Sequence, residues 1–131
     1  MILKRFFSFA LCLLCLVLVS FTFPDKLKKK VNKEIVKTFN TREFQLKPVL
    51  ISDAINQQLS KRIDGNHLFK IEKNKEIIGY AFVDKAPSKT DEFDYLILLD
   101  KNLIIAKTKV LIYREDYGGE IGSKRWLKQF I

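Results

Sequence analysis

Between Leu68 and Glu115 the apolar residues recur at every second position, and this period narrows the fold more than any other feature of the chain. "HLFKIE" (67–72) and "EIIGYAFVD" (76–84) read as strands joined by Lys73-Asn74-Lys75 in a hairpin. "FDYLILL" and "LIIAKTKVLIYRE" read as a second pair, joined by Asp100-Lys101-Asn102, and "KAPSKTDE" between the pairs reads as a polar loop. In "EIIGYAFVD", Ile78, Tyr80 and Phe82 share one face, while Ile77, Ala81 and Val83 share the other. Apolar residues on both faces predict a strand covered on both sides. The expectation is a four-stranded antiparallel meander.

The flanking segments have helical period. "PDKLKKKVNKEIVKTF" places Leu27, Val31, Ile35 and Phe39 four apart on one face, with lysines around the rest. Thr22 or Asp25 is its expected cap, and Pro24 is tolerated in a first turn. Such a helix can pack its stripe on the domain, lie on anionic headgroups, or do both. "FQLKPVLIS" reads as irregular extended chain, because Pro48 argues against a central strand. Ser52 then caps an expected helix through Arg62, with Ile55, Leu59 and Ile63 on one face, stopped by Asp64-Gly65-Asn66. Gly122-Ser123 opens a last helix, "SKRWLKQFI", with Trp126, Leu127 and Phe130 expected to pack inward. The sequence stops at Ile131 inside this apolar pattern, which predicts a domain that is incomplete at its C-terminus, a fragment or a truncated reading frame. The sum is an α+β domain over residues 25–131.

Residues 1–24 are of another kind. Lys4 and Arg5 precede "FFSFALCLLCLVLVSFTF", Phe6 to Phe23, which carries no charge. At about eighteen residues the run is just long enough to cross a bilayer as one N-terminal membrane helix. Ser20-Phe21-Thr22 is a poor cleavage site, so an uncleaved anchor is favoured over a removed signal. Leu11 and Leu14 stand where a lipoprotein would need small residues, and Cys12 and Cys15 read as apolar side chains of a membrane helix despite their C-x-x-C spacing. Orientation has two readings. Lys26, Lys28, Lys29, Lys30 and Lys33 after the run argue for a cytoplasmic domain, whereas an export-like segment delivers it to the far side.

The net charge is +9, with a pI near 9.6, which suits nucleic acid or an anionic membrane. Much of that charge lies beside the apolar run, and no zinc-finger or RNA-binding signature is present, so no nucleic-acid partner is expected. His67 is the only histidine and the domain has no cysteine, which argues against a metal site; His67 itself reads as an exposed residue at a strand start. There is no G-x-S-x-G elbow, Walker motif or G-x-G-x-x-G, and no catalytic residue is assigned. Asp91, Glu92 and Asp94 read as a solvated turn.

What survives is "YREDYGGEIGSKRW", which holds three of the five glycines. Glu115 and Asp116 end a strand, Gly118 and Gly119 permit a tight turn, and Gly122-Ser123 starts a helix. Lys124 and Arg125 add positive charge; Tyr113, Tyr117 and Trp126 add aromatic surface. Backbone amides, cations and rings together suit a flat, phosphorylated ligand. The same residues also serve as a plain strand-to-helix connection, and physics alone ranks that first.

The run "VLIYREDYGGEIGSKRWLKQF", preceded by "FDYLILLDKNLIIAKTK", resembles the flavin mononucleotide (FMN)-binding domain family. Its members include flavoprotein subunits of Rnf-type electron-transport complexes and of the sodium-translocating quinone reductase. The family motif resembles H-x-E-T-P-G-L-G followed by a helix bearing W and Q-F. Glu115 matches the glutamate, Gly118 or Gly119 the first glycine and Gly122 the second; Trp126, Gln129 and Phe130 match the helix. Asp116-Tyr117 replaces the usual Thr-Pro, and the likeness covers the chain from about His67 onward.

The resemblance implies a membrane-anchored electron carrier more than a stand-alone enzyme, with an extracytoplasmic domain, redox partner subunits, and FMN as cofactor. Glu115, Tyr117, Gly118, Gly119, Ile121, Gly122 and Ser123 would line the flavin, with Lys124 and Arg125 favouring its reduced anion. Family members commonly carry the flavin through its phosphate on a threonine of an S-G-A-[ST]-x-[ST] motif beyond this helix. No such motif occurs here, and Thr108 has no Ser-Gly-Ala before it. Either the native chain continues past Ile131 or attachment has been lost. The alternative function is a non-catalytic, membrane-tethered interaction module held by its lysine-rich helix.

Overall fold

The structure is a computed structural model that describes residues 24–131; the run Phe6–Phe23, with its expected membrane helix, lies outside the described residues. No helix among the described residues is long and apolar enough to cross a membrane.

The domain is α+β. Its sheet has five strands, not four, in the sequential order β1 (Gln45–Pro48), β2 (Leu68–Lys73), β3 (Glu76–Pro87), β4 (Glu92–Asp100) and β5 (Ile105–Ile112), each antiparallel to the next. The added strand is the segment read as irregular extended chain. It sits at the sheet edge and ends at Pro48, where a missing N–H costs nothing to the ladder.

Helix α1 (Asp25–Phe39) covers one face of the sheet. Leu27, Val31 and Ile35 are buried against Phe69, Ile71, Ala81, Leu96, Leu98 and Leu111. Each fully buried aliphatic side chain contributes about 1.5–3 kcal/mol, so this four-residue spacing is what holds helix to sheet. Asn40 closes α1 in the left-handed conformation, at φ 49° and ψ 45°. Pro24 occupies the N-cap position without a side-chain bond, so Asp25 is the first helical residue and not the cap. Phe39 packs where β3 has Gly79.

The β2–β3 hairpin turns on Asn74 and Lys75, both at positive φ (51° and 68°), as a two-residue turn with the strands' own twist requires. A bulge in this pair sets Ile71 opposite Gly79 but Glu72 opposite Ile77. The extra residue shifts the phase, so Ile77 is thrown to the surface instead of joining Ala81 and Val83. Only the Ala81/Val83 side of β3 is sealed; Ile78, Tyr80 and Phe82 are half-buried.

The expected helix from Ser52 to Arg62 is confined to α2 (Asp53–Asn56). Asn56 explains the stop. Its buried side-chain amide donates to the carbonyls of Ile51 and Ile63 and its Oδ1 accepts from Ile63 N, so the chain folds back around it. Ile55 and Leu59 are consequently exposed. The last helix is also shorter than expected: a 3-10 turn (Gly119–Gly122), α3 (Lys124–Leu127) and a second 3-10 turn (Lys128–Phe130). Leu127 is buried, while Trp126 and Phe130 keep 42% and 44% of their surface exposed.

Candidate functional site

β5 leads into the glycine-rich turn, and the turn is closed by the chain's own side chains. Glu115 accepts hydrogen bonds at Oε1 from the Thr90 amide (2.6 Å), the Thr90 hydroxyl and the Tyr117 hydroxyl (3.2 Å). Tyr113 Oη reaches Oε2 at 3.5 Å and donates to the Tyr117 carbonyl at 2.6 Å. The hydroxyls of Ser88 and Thr90 are the main cause that holds the Glu115 carboxyl down at about 2. The Tyr113 phenol is pushed up by lost hydration and by the neighbouring Glu115 charge. Glu115 therefore fastens the β3–β4 turn to the chain beyond β5.

The glycines are not equivalent. Gly118 has φ 73°, and a Cβ there would lie 2.8 Å from Tyr113 Oη, so both conformation and space require glycine. A Cβ on Gly119 would meet nothing within 4 Å, and one on Gly122 would make ordinary contact with Val110 at 3.7 Å. Ser123 caps α3 by accepting from Trp126 N at 3.2 Å.

Just past this turn the C-terminal segment crosses the sheet face that α1 leaves free. Thr108, buried in β5, donates its hydroxyl to the Leu127 carbonyl at 3.2 Å and ties the segment down. Between the two lies an apolar slot of about 280 Å³, walled by Phe93, Tyr95 and Val110 of the sheet and by Ile121, Trp126 and Phe130. Trp126 and Phe130 meet edge to face, with ring centroids 4.9 Å apart at 63°. Phe82, Tyr95, Phe93 and Tyr113 continue as a row of rings across the same face, at 6.2–6.3 Å. Burial pushes the Tyr95 phenol up. Lys109 is the only charged residue of the slot lining.

A second cavity, of about 540 Å³, runs beside β5, the last strand of the sheet. Lys37 of α1, Lys107 and Lys109 of β5, and Lys124 and Lys128 of the C-terminal segment line it, against one acidic side chain, that of Glu34. None of these lysines is in an ion pair among the described residues. Thr108, Lys109 and Leu127 line both cavities.

The residues expected to bind a ligand thus divide. Ile121 lines the slot and Gly122 the lysine groove. Glu115, Tyr117 and Gly118 close the turn beside them, Gly119 starts the 3-10 turn, and Ser123 caps a helix. Thr108 was weighed only as an attachment residue, and Val110, Phe93 and Tyr95 were not among the expected ligand-lining residues. Their alternation in β4 and β5 signalled a shared face, but not what would cover it. His67 is half-buried between Asp64 (2.8 Å) and Asp84 (3.5 Å) instead of exposed. Asp94 is buried in β4 and paired with Arg114, so it does not belong to a solvated turn. Among the described residues no group of side chains could hold a metal ion.

No protein-family model matches this chain, and no curated protein matches it.

Proposed function

We propose that the chain is a membrane-anchored FMN-binding protein that takes part in electron transfer with partner subunits, its domain on the extracytoplasmic side. The observation that carries this reading is the apolar, aromatic-rimmed slot that shares Thr108, Lys109 and Leu127 with a groove of five lysines. A flavin mononucleotide has the same division: a planar ring system at one end and a phosphate dianion at the other.

The residues present fit that group. Trp126, Phe130, Phe93 and Tyr95 would offer ring faces and edges to the isoalloxazine, and Lys109, which lines both cavities, would meet the phosphate. Ile121 lines the slot beside the turn. Glu115, Tyr117 and Gly118 act as positioning residues by fixing where the C-terminal segment leaves the sheet. Bound flavin would supply the electron chemistry, and the chain's own work is to orient it and to keep water from its ring.

The test is direct. Full-length protein purified in detergent from flavin-replete cells, or refilled with FMN, is expected to hold stoichiometric flavin. Val110→Phe, which places a ring in the slot, is expected to abolish retention while the protein stays folded. A folded wild-type protein that takes up no FMN rejects the reading and leaves the tethered, non-catalytic module.

A further inference from the structure

On α1, Lys26, Lys30, Lys33 and Lys37 follow one another at steps of four, three and four, which places them in one stripe along the helix. The stripe runs along the side of α1 that flanks β5: Lys30 Nζ donates to the Leu111 carbonyl at 2.5 Å, and Lys37 lines the groove. Lys107, Lys109, Lys124 and Lys128 carry the positive charge on from its far end. Elements distant in sequence therefore contribute to one basic face, in which Glu34 is the sole acidic side chain of the groove lining. On the opposite side of the sheet, around β1, β2 and β3, Lys47, Lys61, Lys70 and Lys85 each lie within 4.0 Å of a carboxylate.

We infer that this face docks the domain flat against the anionic headgroups of the bilayer that holds its anchor. The occupant follows from charge and position. The stripe begins at Lys26, three residues after the uncharged run Phe6–Phe23 ends, so the bilayer surface is within reach of the first turn of α1. Lysines left without carboxylate partners are free to meet phosphodiester headgroups, each adding to a surface attraction that salt screens. Soluble nucleic acid or free phosphate would not account for a stripe that starts at the membrane. The inference rests on the reading of residues 6–23 as an anchor, and it draws on lysines of the groove that would also face the flavin phosphate, so it is tested on protein free of FMN.

Lysine footprinting of the full chain tests it. The protein is placed in nanodiscs of phosphatidylcholine, and in nanodiscs of phosphatidylcholine and phosphatidylglycerol at about three to one, then labelled with a soluble amine-reactive ester. Incorporation into both discs reports the anchor by itself. Docking is expected to slow labelling of Lys33, Lys37, Lys107, Lys124 and Lys128 several-fold in the anionic discs. Lys73 and Lys75, on the β2–β3 hairpin, should label alike in both, and raised salt should remove the difference. Replacing Lys26 and Lys33 with Gln should re-expose Lys107 and Lys128. Equal labelling in the two discs with the anchor inserted overturns the inference. So does full protection of the same lysines by inorganic phosphate in neutral discs with none added by anionic lipid, since the groove would then serve a soluble phosphate and not the headgroups.

Discussion

Thr108 Oγ1 and the Leu127 carbonyl, 3.2 Å apart and buried, are the tie that makes a slot out of a strand and a C-terminal segment. Thr108→Val keeps the shape of the side chain and leaves the carbonyl without its donor, which costs about 1–3 kcal/mol. The expected outcome is a lower urea midpoint together with weaker FMN retention. Thr108→Ser, which keeps the hydroxyl, should restore much of the retention. Loss of stability with retention unchanged would mean that the tie does not shape the slot.

Gly79 answers to a different constraint. A Cβ at this position would lie 2.5 Å from the Leu99 carbonyl oxygen and 2.6 Å from the Phe39 ring. Gly79→Ala is therefore expected to overpack the β3–β4 ladder and the end of α1, at a cost of about 1–3 kcal/mol. Adding Phe39→Leu should recover only part of the loss, because the tighter contact is with backbone. Chemical denaturation of the single and double variants measures this.

Removing one member of an ion pair should depend on burial. Asp94 keeps 5% of its side-chain surface and is bonded by Arg114, which also donates to the Glu92 carbonyl at 2.8 Å. Arg114→Ala strands that carboxylate and should cost about 3–5 kcal/mol. Arg62→Ala breaks a pair that is 69% and 75% exposed, and should cost about 0–1 kcal/mol. Thermal melts of the two variants compare the cases.

Glu115 gives the domain an acid-side dependence. Its carboxyl is lowered from 4.5 to about 2, so between those values the unfolded chain binds the extra proton. The contribution of Glu115 is full above about 4.5 and is lost as pH falls toward about 2. Glu115→Gln should remove this component from a plot of urea midpoint against pH. The Thr90 amide resonance should titrate with the same low midpoint in the parent protein. A midpoint near 4.5 would show that Ser88 and Thr90 do not hold the charge.

The meander was legible because Phe69, Ile71, Ala81, Leu96 and Leu98 alternate strictly, and a two-residue period admits few arrangements. The glycine turn was legible as a turn, and Gly118 bears that out with its positive φ. What escaped depended on partners distant in the chain. Pro48 excludes a central strand, but only the sheet order shows that β1 is an edge. The bulge that exposes Ile77 leaves no local mark, and Asn56 stops a helix through bonds to Ile51 and Ile63 that propensity does not see. Glu115 stood out as a ligand-facing carboxylate because its partner Thr90 lies twenty-five residues away in another turn. The slot escaped for the same reason: β5 and the C-terminal segment each show half of it.

Trp126 is the only tryptophan in the chain and stands in the slot wall, so it reports occupancy directly. Titrating the full-length protein in detergent with FMN, while following tryptophan emission, is the decisive measurement. Saturable quenching is expected, with weaker binding for riboflavin, which lacks the phosphate, and none for Val110→Phe. Undiminished tryptophan emission from a folded protein at saturating FMN would contradict a flavin seated between β5 and the C-terminal segment.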